Sequence, residues 1–139
     1  MQATSQDTAA DSIFPFVANV IELGAGESRT LLRVRAVGTL RVRCSKEGGV
    51  AVALTAADVL PTAAVTVSSD VHGVLRRTVQ PNERIRLAAT RRRNFQTWQV
   101  APFAKTASVT TIWIAVGESA GKPFYACGAS AHAATTRAR

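Results

Sequence analysis

The stretch Leu32-Arg33-Val34-Arg35-Ala36-Val37-Gly38-Thr39-Leu40-Arg41-Val42-Arg43-Cys44 decides the fold class. Its even positions are Leu, Val, Ala, Gly, Leu, Val and Cys, and its odd positions are Arg, Arg, Val, Thr, Arg and Arg. Successive side chains of a β-strand point to opposite sides of a sheet, so this alternation predicts one dry face and one wet face. The parity is unbroken across Gly38. Two geometries preserve it: a single long strand bent at the glycine, or two strands on either side of a kink. In both, the wet face carries Arg33, Arg35, Arg41 and Arg43.

Outward from this stretch the same two-residue period recurs. Toward the N-terminus, Gly24-Ala25-Gly26-Glu27-Ser28 reads as a turn. Before it, Ile13 to Leu23 carries Phe14, Phe16, Val17, Val20, Ile21 and Leu23, while Pro15 forbids a helix interior. An extended entry followed by a strand is expected there. Residues 1–12 are small and polar and read as a mobile or partner-bound arm.

Toward the C-terminus, Ser45-Lys46-Glu47-Gly48-Gly49 reads as a hairpin loop, and Val50, Val52 and Leu54 continue the dry parity on the returning strand. Thr55 to Pro61 has room for one helical turn, stopped by the proline. Strands follow around Val65 and Val67, from Val74 to Val79, at Ile85, Leu87 and Ala89, from Phe95 to Ala101, and from Val109 to Val116. Trp98 shares a parity with Val100, and Trp113 lies opposite Ile112, Ile114 and Val116 but is expected to be buried. Phe124 to Cys127 reads as a short last strand, and the tail beyond Gly128 has no apolar period.

No segment keeps a helical period for three turns. Short strands with turns every 8–12 residues or so predict an all-β antiparallel sandwich, jelly-roll-like, of about eight strands. The expected organisation is an arm at 1–12, a sandwich at 13–128 and a C-terminal tail at 129–139. The phrases Gly26-Glu27-Ser28-Arg29 and Pro81-Asn82-Glu83-Arg84 each precede an Arg-alternating strand, an internal echo that would fit the two halves of a jelly roll.

The chain has 139 residues, enough for one domain with its own core. Lys plus Arg is 17 against 9 for Asp plus Glu, a net charge of +8, and 14 of the cations are Arg. Charge of that sign favours acidic partners. Arg in particular holds a carboxylate or phosphate through two hydrogen bonds.

Chemistry is hard to find. His72 falls in a turn and His132 in the expected tail, neither with a companion at metal-ligand spacing. The carboxylates are scattered; a pair such as Glu22 with Asp70 stays open, but nothing in the sequence singles one out. No Gly-x-Ser-x-Gly elbow and no phosphate-loop glycine spacing occurs. We expect no enzyme, no cofactor and no metal. Residues 1–12 lack the basic start and apolar middle of a secretory signal, and no apolar run approaches the ~20 residues of a membrane span. Cys44 lies on the dry parity, where a buried free thiol is expected, with a disulfide to Cys127 as the alternative.

Two groups of arginines are candidate partner-binding residues. Arg33, Arg35, Arg41 and Arg43 suit a flat face that docks on an acidic surface. Arg91, Arg92 and Arg93 stand near Phe95 and Trp98, a pattern that tracks phosphates and stacks bases if the rings are exposed, and a charged loop over a core if they are buried.

A polar arm at 1–12, a compact run of strands from Ile13 to Cys127, a loose tail and no catalytic constellation together resemble the small cement or decoration proteins of tailed-phage capsids. The alternating strands Leu32–Cys44 and Val109–Val116 carry the likeness, which is to the jelly-roll type found on short-tailed phages of Bordetella-like hosts. The resemblance implies a non-catalytic virion protein, assembled in the bacterial host cytoplasm. Copies would form a dimer or trimer, sit on the acidic outer surface of the major capsid protein and bridge capsomers. Neither nucleic acid nor membrane is the expected partner. The alternatives are a carbohydrate- or receptor-binding sandwich of a tail or fibre, stacking sugars on Trp98, Trp113 or Tyr125, and a basic nucleic-acid-binding protein.

Overall fold

The two-residue period produces strands throughout; a computed structural model describes residues 16–104, 108–119 and 125–137 and contains, among them, no helix. In chain order the strands are β1 (Phe16–Leu23), β2 (Ser28–Val34), β3 (Gly38–Cys44), β4 (Val50–Ala56), β5 (Ala63–Ser69), β6 (Gly73–Val79), β7 (Arg84–Arg86), β8 (Asn94–Pro102), β9 (Ser108–Glu118) and β10 (Cys127–Arg137). They form two antiparallel sheets, one of six strands ordered β1-β10-β9-β8-β5-β6 and one of four ordered β2-β3-β4-β7. The sheets pack face to face as a sandwich, with ten strands where about eight were expected. First and last strands pair, and the chain passes between layers after β1, β4, β6 and β7. Within each layer, β2-β3-β4 and β8-β9-β10 run as meanders.

The stretch Leu32–Cys44 is neither a bent strand nor a kinked pair. It is a tight hairpin: β2 turns back on β3 with Val34 opposite Gly38 and Leu32 opposite Leu40. Val37 N–H donates to Val34 C=O at 3.0 Å, and Ala36 takes φ +65° at the third position of the turn. The hairpin keeps the parity because three linking residues separate an even position from an even position. Gly38 is required by crowding, since a Cβ there would lie 2.3 Å from the Thr55 carbonyl oxygen. Val37, assigned to the wet face by parity, is buried, as expected of a residue freed from strand alternation by the turn.

Both inner faces are apolar. Leu40, Val42, Val52, Leu54 and Ile85 of the small sheet meet Val65, Val67, Trp98, Val100, Ile112 and Ile114 of the large one in a single buried cluster. A register shift between Thr30 and Leu32 buries both Leu31 and Leu32. On β8 the inward positions are Asn94, Gln96, Trp98 and Val100, and the first three carry polar groups. They hydrogen-bond in sequence: Trp98 Nε1–H to Gln96 Oε1 at 3.0 Å, Gln96 Nε2–H to Asn94 Oδ1 at 3.1 Å, and Asn94 Nδ2–H to Thr90 Oγ1 at 2.8 Å. Burial of these amides is tolerated because each is partnered.

Several expectations are corrected. The tail at 129–139 is not loose: through Arg137 it belongs to β10, flanked by β1 and β9 inside the large sheet. Its inward residues are Ala129, Ala131 and Ala133, too small to register as an apolar period yet fully buried beside bulky neighbours. Of the short last strand expected at Phe124–Cys127, Phe124 lies outside the described residues, Tyr125 and Ala126 are not in a strand, and Cys127 opens this longer one. Thr55 to Pro61 holds a β-turn, closed by Leu60 N–H to Ala57 C=O at 3.1 Å, in place of a helical turn. Cys44 is not a free thiol; it is bonded to Cys127, with Cα atoms 5.8 Å apart. The pairing joins the end of β3 to the start of β10 and so ties the two sheets together. The arm at 1–12 lies outside the described residues.

Candidate functional site

The four strands of the small sheet contain six arginines and no Asp, Glu or Lys. Strand alternation buries the Leu, Val and Ile positions and so drives five of the arginines outward; Arg29 lies level with inward Val42 at the exposed end of β2. The register then sets them in rows. Arg33, Thr39, Thr55 and Arg84 form one row across the sheet; Thr30, Arg41, Ala53 and Arg86 form the next; Ser28, Arg43 and Ala51 form the third. Strand β4 contributes only Ala51, Ala53 and Thr55 to this face.

The result is a trough with a floor of small side chains. Arg41 and Arg43 of β3 stand on one side and Arg84 and Arg86 of β7 on the other, around a cavity of about 280 Å³. Ala53 faces outward yet is only 8% exposed, as expected if the stems of its cross-strand neighbours Arg41 and Arg86 lie over it. Arg41 donates to Thr30 Oγ1 at 2.9 Å. Among the described residues none of the four arginines is in an ion pair; the pair that does form, Arg29 with Glu27 at 4.0 Å, lies at the end of β2. Guanidinium groups gathered without carboxylates repel one another, and an approaching anion relieves that repulsion.

The two edge strands of this sheet begin in the same way. Glu27 Oε1 accepts from Gly24 N–H at 2.9 Å, and Glu83 Oε1 accepts from Gln80 N–H at 2.9 Å. Each turn has a positive φ at its third residue, Gly26 at +83° and Asn82 at +67°. The echo seen in the sequence is thus a repeated turn that launches β2 and β7, with one oxygen of each carboxylate accepting inside its turn.

The sequence-derived candidates divide. Arg33, Arg41 and Arg43 share the face, joined by Arg84 and Arg86, which parity alone could not assign to it. Arg35 is in the β2–β3 turn and lines a different hollow, beside Val59 and Pro61. Arg91, Arg92 and Arg93 are exposed in the loop before β8. Of the rings near them, Trp98 is buried and cannot stack, whereas Phe95 is 65% exposed and shares a hollow of about 340 Å³ with Arg93 and Val20.

Trp113 was expected in the core. It is 40% exposed on the outer face of the large sheet, its ring stacked on that of His132 at 4.9 Å. Tyr125 is also exposed. Glu22 and Asp70 sit near opposite edges of the large sheet, on β1 and in the β5–β6 turn, and form no pair. Glu22 accepts from Ser119 Oγ, and Asp70 accepts from Phe95 N–H. His72 Nε2 is 3.0 Å from Ala88 C=O, a contact that pins its turn. No group of three or more His, Cys, Asp or Glu gathers as a metal site among the described residues. In comparisons with known proteins, no family, no curated protein and no solved structure matches this chain.

Proposed function

We propose that this chain is a non-catalytic structural protein of a virion, a capsid cement or decoration protein, that docks by the arginine face of its four-stranded sheet on the acidic outer surface of the major capsid protein. The observation that carries the reading is the concentration of outward arginines on one sheet that holds no acidic residue. A broad, rigid sheet face with bidentate donors complements a folded surface studded with carboxylates. Many copies on a lattice, each a homo-oligomer, would convert modest single contacts into firm retention. The Cys44–Cys127 disulfide is in keeping with a particle that spends its working life outside a reducing cytoplasm.

The test is salt. Shells carrying the protein and washed in rising NaCl should shed it as ionic strength passes a few tenths molar, because the Debye length falls below about 8 Å there. Full occupancy retained at molar salt would overturn the reading.

A second reading has one observation in its favour. The Trp113 ring is open to solvent, and on the side away from His132 it borders Thr97 of β8 and then Ser68 of β5. An aromatic face beside hydroxyls suits a sugar ring, as in the carbohydrate-binding alternative. Glycan-array binding that disappears in Trp113→Ala would establish it; no binding to any glycan would remove it.

A further inference from the structure

We propose that the trough over β4 is a binding site for an extended acidic protein segment, a run of about four consecutive Glu or Asp residues lying along the strand. The proposal rests on the docking reading above and specifies which part of the partner enters. Three features carry it: a floor of small residues, arginine walls on both sides, and the spacing of those walls.

Ala51, Ala53 and Thr55 leave open space above β4, and the space is bounded by strands on both sides. The walls are two strand spacings apart, about 10 Å, wide enough for one extended backbone. Along each wall the arginines are two residues apart, about 6.7 Å. An extended chain set on edge repeats its same-side side chains at that interval. Alternate carboxylates then face Arg41 and Arg43, and the intervening ones face Arg84 and Arg86. The register staggers the walls by one row, since Arg43 lies level with Ala51, Arg41 and Arg86 with Ala53, and Arg84 with Thr55. That offset is one row, about 6.7 Å, against about 3.3 Å between successive side chains of an extended chain, and the long arginine stems reach across the difference.

Nucleic acid fits less well. Stacking of bases needs exposed rings, and those at Phe95 and Trp113 are on the other sheet, with none in the floor or walls of the trough. A single small anion spans too little of the site to engage all four guanidiniums.

Fluorescence anisotropy with the full chain at low salt tests the proposal. The probe is a labelled peptide with four consecutive glutamates. A second peptide spreads the same four glutamates apart with Gly-Pro spacers, and a short oligothymidylate serves as the nucleic-acid arm. Arg41→Gln/Arg86→Gln should weaken the contiguous peptide by about tenfold or more. Arg91→Gln/Arg92→Gln removes equal charge elsewhere and should weaken it by less than about threefold. Arg41→Lys/Arg86→Lys retains charge but loses the fork, and should fall between. Melting temperatures matching wild type confirm that each variant is folded.

Equal losses in the two glutamine variants, or equal affinity for the two peptides, would overturn the trough while leaving an acidic partner in place. Tighter binding of the oligothymidylate, lost in the trough variant, would make the site one for nucleic acid and overturn the proposal. Failure of the wild-type chain to bind either peptide would sink the acidic-partner reading together with it.

Discussion

At position 36 an alanine occupies a backbone conformation that glycine or asparagine would occupy more cheaply. Its φ of +65° brings Cβ against the following carbonyl, at a cost of roughly 1–2 kcal/mol. Ala36→Gly removes the strain but adds freedom to the unfolded chain, worth about 0.4–1 kcal/mol in the other direction. A net gain of about 0.5 kcal/mol is expected, visible as a higher urea midpoint with unchanged slope; a loss would mean that the turn is not strained. Gln96 poses the opposite case. Its amide satisfies both Trp98 and Asn94 inside the core. Gln96→Met fills similar volume but strands the indole N–H, at an expected cost of about 1–3 kcal/mol by chemical denaturation. An unchanged stability would show that Trp98 finds another acceptor.

At the scale of the element, legibility in the sequence followed from whether a residue's role was set by its neighbours in the chain. Parity along Leu32–Cys44 correctly separated buried Leu40, Val42 and Cys44 from exposed Arg33, Arg41 and Arg43. The turn inside that stretch was hidden, because its third residue is Ala36 and not the glycine or asparagine that such turns favour. Strand β10 was hidden too. Alanine and serine have little strand preference of their own, and this segment is a strand because β1 and β9 flank it. Arg84 and Arg86 alternated legibly, but only pairing of β7 with β4 brings them opposite Arg41 and Arg43, and that register is non-local.

The Cys44–Cys127 bond is non-local in the same sense, with a sequence separation of 83 between its ends. A loop of that length predicts substantial stabilisation through the unfolded chain. The double substitution Cys44→Ala/Cys127→Ala is expected to cost about 2–5 kcal/mol. Equilibrium unfolding measures it directly, and a variant as stable as the parent would show that the two sheets hold together without the link.

For the whole molecule, the two outer surfaces differ in kind. The small sheet displays five arginines, and the large one, apart from Arg76 and Arg77 on its edge strand β6, displays mostly Ala, Ser and Thr around Trp113 and Phe95. Cationic charge is therefore lopsided, and a protein of this net charge need not behave as a uniformly charged sphere.

Lopsided charge gives the particle a preferred way up. On a negatively charged support such as a sulfonate resin or mica, molecules should settle with the arginine side downward and the tryptophan side upward. Phenylglyoxal applied to the adsorbed protein should then spare Arg41, Arg43, Arg84 and Arg86 while modifying Arg76 and Arg91, as peptide mapping would reveal. Uniform modification would mean that the molecules land at random.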